Sequence, residues 1–210
     1  SIVDLVAARV AQLDQESRDL LDVAACCGFE FDPALVAAAV GAPLVPTLKR
    51  FAEIERRHRL VRAAGRRLVF DHHQVQETLH GALYPQLSEA YHAAIAEALE
   101  ARSDAASRSP DELGGALCVE LAGHFLEGAQ GARALRYLAP SMTHLERNYL
   151  MESAVRLVDR ALAAPGALAG RERCEVLVRR AASLDLLGRV LRTATVTLDI
   201  THTYVGDLRC

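Results

Sequence analysis

The sequence predicts a mainly all-α fold with one small β-hairpin, and three observations carry that prediction. Apolar residues recur at three- and four-residue spacing along most of the chain. Hydrophobic residues make up 51% of the 210, yet only 5% are aromatic and Trp is absent; Ala and Leu dominate, which favours close helix packing over the β-branched and aromatic surfaces of sheets. Only between about residues 60 and 70 does the apolar period shorten to that of a strand.

Taken in order, Ile2, Leu5, Val6, Val10 and Leu13 fall at helical spacing, and Asp14 offers an N-cap for a second helix carrying Leu20, Leu21, Val23 and Ala24 up to Gly28. Phe29-Glu30-Phe31 leads to Asp32-Pro33, a cap followed by proline at the first helical position, and a short helix from Ala34 to Val40 stops at Gly41. Pro46 starts a fourth helix through Leu48, Phe51 and Ile54. Leu60-Val61-Arg62 and Arg67-Leu68-Val69-Phe70 are β-compatible runs around Ala63-Ala64-Gly65-Arg66, with Gly65 placed to supply the turn. Helices followed by one small hairpin make a winged-helix-like arrangement for the first 80 or so residues.

Asp71 is the expected cap of a helix from His72 to Leu83, and Pro85 opens a longer one with Leu87, Tyr91, Ile95 and Leu99 on one stripe. Arg102 to Pro110 is small, polar and without periodicity. Further helices are expected at about 111–127, 131–147, 150–163, 171–187 and 189–205, separated by short Gly-, Pro- and Asn-containing turns. Short turns and a spacing of roughly 34 residues per helix pair suggest tetratricopeptide-like antiparallel pairs, with Pro140 expected to interrupt one helix. The expected organisation is a winged-helix-like regulatory domain with trailing helices at 1–102, a linker at 103–110 and a tetratricopeptide-like region at 111–210.

A net charge of −3 denies the chain the broad basic excess that drives non-specific phosphate binding. No apolar run approaches the ~20 residues of a bilayer span, and there is no leader pattern, so the expectation is a cytoplasmic protein without a membrane partner. Cys26, Cys27, Cys118, Cys174 and Cys210 are odd in number and irregularly spaced, reading as small buried thiols rather than a disulfide framework. The chain begins at Ser1 inside a running helical pattern, which reads as a segment of a longer protein.

No enzyme is expected. There is no GxxxxGK[ST] phosphate loop; Gly114-Gly115 lacks a following Lys-Ser or Lys-Thr. Ser141, Ser153 and Ser183 sit in helical runs without a nucleophile-elbow pattern. His72, His73, Glu77 and His80 lack the grouping of a zinc motif, so no metal is expected. Arg56, Arg57, Arg59, Arg62, Arg66 and Arg67 form the basic cluster, at the end of the fourth helix and on the wing. Three readings stay open for it: a phosphate-tracking edge, a surface facing a nucleotide or an acidic partner, and a solvated face.

Leu20-Leu21-Asp22-Val23-Ala24-Ala25-Cys26-Cys27-Gly28-Phe29-Glu30-Phe31, Phe70-Asp71-His72, Tyr91 through Glu100, and Leu121-Ala122-Gly123-His124-Phe125 lie in the order of four landmarks of one protein class. In these segments the chain resembles the regulatory arm of STAND-type signal-transduction ATPases, a class that includes large LuxR-type regulators and proteins joining a cyclase or kinase module to an origin-recognition-like AAA ATPase. The resemblance implies a non-catalytic regulatory fragment that restrains an upstream NTPase domain of the same polypeptide. It further implies that the helical repeats sense a protein or small-molecule effector. It implies no cofactor in this chain, ATP or ADP in the parent protein, and a possible nucleotide-phosphate contact for His72, with Arg66 and Arg67 beside it. The alternative is a winged-helix DNA-binding transcription factor. The nearly pure Ala and Val helix after Pro33 offers no base-reading side chains, so a nucleic-acid partner is not expected.

Overall fold

A computed structural model describes residues 8–188 of the protein. The helix expected at 189–205, Cys210 and the first residues of the opening helix lie outside the described residues. The described chain is mostly helical, with one small three-stranded antiparallel sheet.

Helix α1 (Gln15–Cys27) begins where the Asp14 carboxylate accepts the Ser17 N–H at 2.8 Å, and Leu20, Leu21, Val23 and Ala24 bury its apolar face. At Gly28 the backbone turns to φ 116, a conformation that favours glycine, and the chain runs out as β1 (Glu30–Phe31). Asp32 caps α2 (Pro33–Ala39) through the Ala34 N–H at 2.8 Å. Helix α3 (Leu44–His58) starts before Pro46, which sits in the first turn where a missing N–H costs nothing.

The expected hairpin forms from β2 (Val61–Ala64) and β3 (Arg67–Phe70), with Ala64 opposite Arg67, so the turn is only Gly65-Arg66 and Gly65 takes φ 64. β1 adds a third strand that the sequence did not announce. It pairs antiparallel with β3, giving the order β1-β3-β2, with Phe31 opposite Leu68. Two residues are too few to display a strand period, and the pairing is decided by Phe31, which meets Phe51 and Phe70 at centroid distances of 5.5 and 5.2 Å.

Helix α4 (His73–Gly81) has His72, not Asp71, at its N-cap, with no side-chain capping bond. Helix α5 (Pro85–Ser103) follows, then a 3₁₀ turn at Pro110–Glu112 and four helices: α6 (Gly115–Glu127), α7 (Gly131–Arg147), α8 (Met151–Ala163) and α9 (Gly170–Leu186). Pro140 does not interrupt α7, which runs through it to Arg147. The proline removes one N–H donor, and Ser141 just after it is anchored to the Tyr137 carbonyl. No helix among the described residues is long and apolar enough to cross a membrane.

Two apolar cores share the long helix α5. Ile95 belongs to the first, built from α1–α4 and the sheet; Ala96 belongs to the second, built around α6–α8; Leu99 packs against both. The stripe expected from Leu87 to Leu99 is therefore rotated: His92, Ile95 and Ala96 are the buried positions, while Leu87 is exposed. After α5, residues 104–107 form turns in which Ala105 is fully buried, and the Arg136 guanidinium donates to the Arg108 carbonyl at 2.5 Å.

Candidate functional site

The hairpin tip folds over the start of α2 and the end of α5. Between them lies a cleft of about 670 Å³, lined by Arg66, Arg67 and Arg102, by the apolar side chains of Leu44, Leu48 and Leu99, and by Asp32. Arg67 is held by Glu30, Nε to Oε1 at 3.1 Å, and Arg102 by Asp32 at 2.7 Å. Burial pushes the Asp32 carboxyl up, but the Arg102 hydrogen bond, the Ala34 N–H and the charges of Arg102 and Arg67 outweigh it and hold the group below its ordinary 3.8.

Arg56, Arg59, Arg62 and Arg66 make no side-chain ion pair among the described residues, whereas Arg57 and Arg67 are paired with Glu53 and Glu30. Of the four without a pair, Arg66 shares the cleft with Leu44 and Leu48, and there the first turns of α3 expose Leu44 (44%), Val45 (61%) and Leu48 (42%), so one unpaired positive charge adjoins uncovered apolar surface.

His72 does not line the cleft. It lies beyond the far end of β3 from the turn, roughly 15–20 Å along an extended chain from Arg66, exposed, with Nε2 3.4 Å from the Asp71 carboxylate. Arg66 and Arg67 thus share one site and His72 does not join it. His73 stacks on Phe29 at 3.9 Å.

A second cluster was not visible in the sequence. Cys26 at the end of α1, His80 near the end of α4 and His92 on α5 bring one ligand-type atom each to within 4.8 Å of one another. His124 on α6 extends the group: its Nδ1 is 2.9 Å from Nδ1 of His92, and the three imidazoles form a row, His80–His92–His124, with centroids 5.9 and 5.1 Å apart. Burial pushes the Cys26 thiol up to about 12, aided by the Asp22 charge, and burial likewise lowers His92 and takes His124 down to about 4. All three groups are uncharged near neutrality. The sequence reading set His80 only beside His72, His73 and Glu77 and expected no metal there; the structure brings His80 to residues 54 positions before it and 12 after it. The remaining signal in the sequence was the Tyr91-His92 and Gly123-His124 pair of apolar-flanked histidines.

Compared with protein-family models, curated proteins and solved structures, the chain matches none.

Proposed function

We propose that the chain is a non-catalytic regulatory and interaction module of a multidomain signal-transduction ATPase or transcriptional regulator. Its first part, winged-helix-like and ending near residue 102, restrains a nucleotide-binding domain of the same polypeptide. The tetratricopeptide-like pairs α6–α7 and α8–α9 sense a protein or small effector. The element order α1-β1-α2-α3-β2-β3 with sheet order β1-β3-β2 supports the winged-helix part of this reading.

The observation that carries the proposal is the cleft rimmed by Arg66, Arg67 and Arg102 beside the bare Leu44–Val45–Leu48 surface. An apolar anchor with a charged rim is the anatomy of a protein-binding patch. A base-reading helix would instead present Arg, Asn or Gln at its leading end; α3, the helix before the hairpin, leads with Leu44, Val45 and Pro46. That argues against the transcription-factor alternative.

The test is calorimetric binding of the chain to the nucleotide-binding domain of its own polypeptide. Arg66→Glu with Arg67→Glu is expected to weaken it at least tenfold, about 1.4 kcal/mol, while His72→Ala has less effect. Equal affinity of the double variant, or a parent polypeptide without a phosphate-binding loop, would contradict the reading.

A further inference from the structure

We propose that Cys26, His80 and His92 form a binding site for a zinc-class divalent cation, supported from behind by His124. The argument rests on the donor set and its placement. One thiol and two imidazoles are the borderline-soft ligands that select zinc over magnesium or calcium, which require oxygen. They come from three helices and converge within 4.8 Å, and two of the three side chains are buried, so the packing of α1 against α4 and α5 fixes their approach.

Tetrahedral zinc with ordinary bond lengths separates its ligand atoms by roughly 3.3–3.6 Å. The observed spread is about an ångström wider. Of the three side chains only His80 is exposed, so it is the one free to rotate toward an ion at little packing cost. The contact between His92 and His124 matches the support that metal-bound histidines receive. In the tautomer in which His92 donates Nδ1–H to Nδ1 of His124, Nε2 of His92 is left to bind; the opposite direction leaves His92 Nδ1 as acceptor.

A groove of about 190 Å³, lined also by His124, Glu127 and Arg160, reaches two of the three ligands, Cys26 and His92. Three protein ligands and one open position distinguish such a site from a closed structural zinc. The ion would join α1, α4 and α5 where they meet α6, at the seam between the two cores. It is independent of the arginine cleft, and neither proposal depends on the other.

The test is titration of the intact chain with Zn²⁺ and with Co²⁺ as a spectroscopic probe. The expected result is one equivalent bound with a thiolate-to-cobalt charge-transfer band. That band should disappear in Cys26→Ser, and affinity should fall more than a hundredfold in His80→Ala. His124→Gln should weaken binding by about 10–100-fold, as loss of an outer-shell partner does. His73→Ala should bind as the parent does. Because His80 is exposed, its variant keeps the fold and stays informative if Cys26→Ser does not. Absence of micromolar binding, a cobalt spectrum without a thiolate band, or unchanged affinity in His80→Ala would overturn the proposal.

Discussion

Two glycines, Gly123 within α6 and Gly128 at its C-cap, show how a single atom is weighed differently by place. At Gly123 an added Cβ would meet nothing within 4 Å, whereas at Gly128 it would lie 2.6 Å from the Ala93 backbone nitrogen and 2.8 Å from its Cα. Gly123→Ala is therefore expected to stabilise the helix by about 0.5–1 kcal/mol, through reduced backbone freedom in the unfolded chain. Gly128→Ala should cost about 1–3 kcal/mol, because α5 and the end of α6 must separate. Thermal unfolding of the two variants checks both signs, and equal midpoints would show that the helices do not approach as described. Asp32 gives a second expectation. Asn also caps helices, so Asp32→Asn removes the charge and leaves the cap. Because the folded carboxyl sits below 3.8, its contribution is present above that pH and disappears as pH falls through the lower folded value. The variant should lose up to about 1 kcal/mol at pH 7, the scale of a half-exposed ion pair, and the difference should shrink as pH falls below 3.8 and vanish once pH is below the lowered folded value. A gap that persists in acid would assign the role to something other than the Arg102 pair.

Helices were legible from the sequence wherever capping chemistry and apolar spacing agreed. Asp14 and Asp32 cap as expected because a short carboxylate preceding a helix has few better partners than the free N–H groups of its first turn. Asp71 failed as a cap because the chain is still extended there, its own N–H bonded to the Leu60 carbonyl at 2.9 Å, so the helix begins later. The same logic bears on 103–110, which lacks a repeating apolar face but is held at two points, by the buried Ala105 and by Arg136 on the Arg108 carbonyl. Amide exchange is expected to be faster at Ser107 to Ser109 than in Leu20 to Ala25. Arg136→Ala should speed limited proteolysis within 104–109 severalfold without moving the cut elsewhere. Protection of Ser107 to Ser109 equal to that of α1, or cleavage unaffected by Arg136→Ala, would remove this segment as the junction between the proposed regions.

For the whole molecule, fold class was readable because it follows from periodicity, a local property of the chain. The third strand and the Cys26–His80–His92–His124 row were not, because each depends on which faces α1, α4, α5 and α6 turn toward one another. The basic cluster was readable as composition, but only the fold divides it, pairing Arg57 and Arg67 with acids, leaving Arg56, Arg59, Arg62 and Arg66 without a side-chain ion pair among the described residues, and bringing Arg66 alone of these four to the cleft that Leu44 and Leu48 line. The central claim is that this surface receives a nucleotide-binding domain. It is tested most directly by hydrogen exchange on the chain with and without that domain of its own polypeptide. Protection is expected to rise at Leu44 to Leu48, at Gly65 to Arg67 and around Arg102. Protection confined to α8 and α9, or no change at the Gly65–Arg66 turn in a complex shown to form, would contradict it.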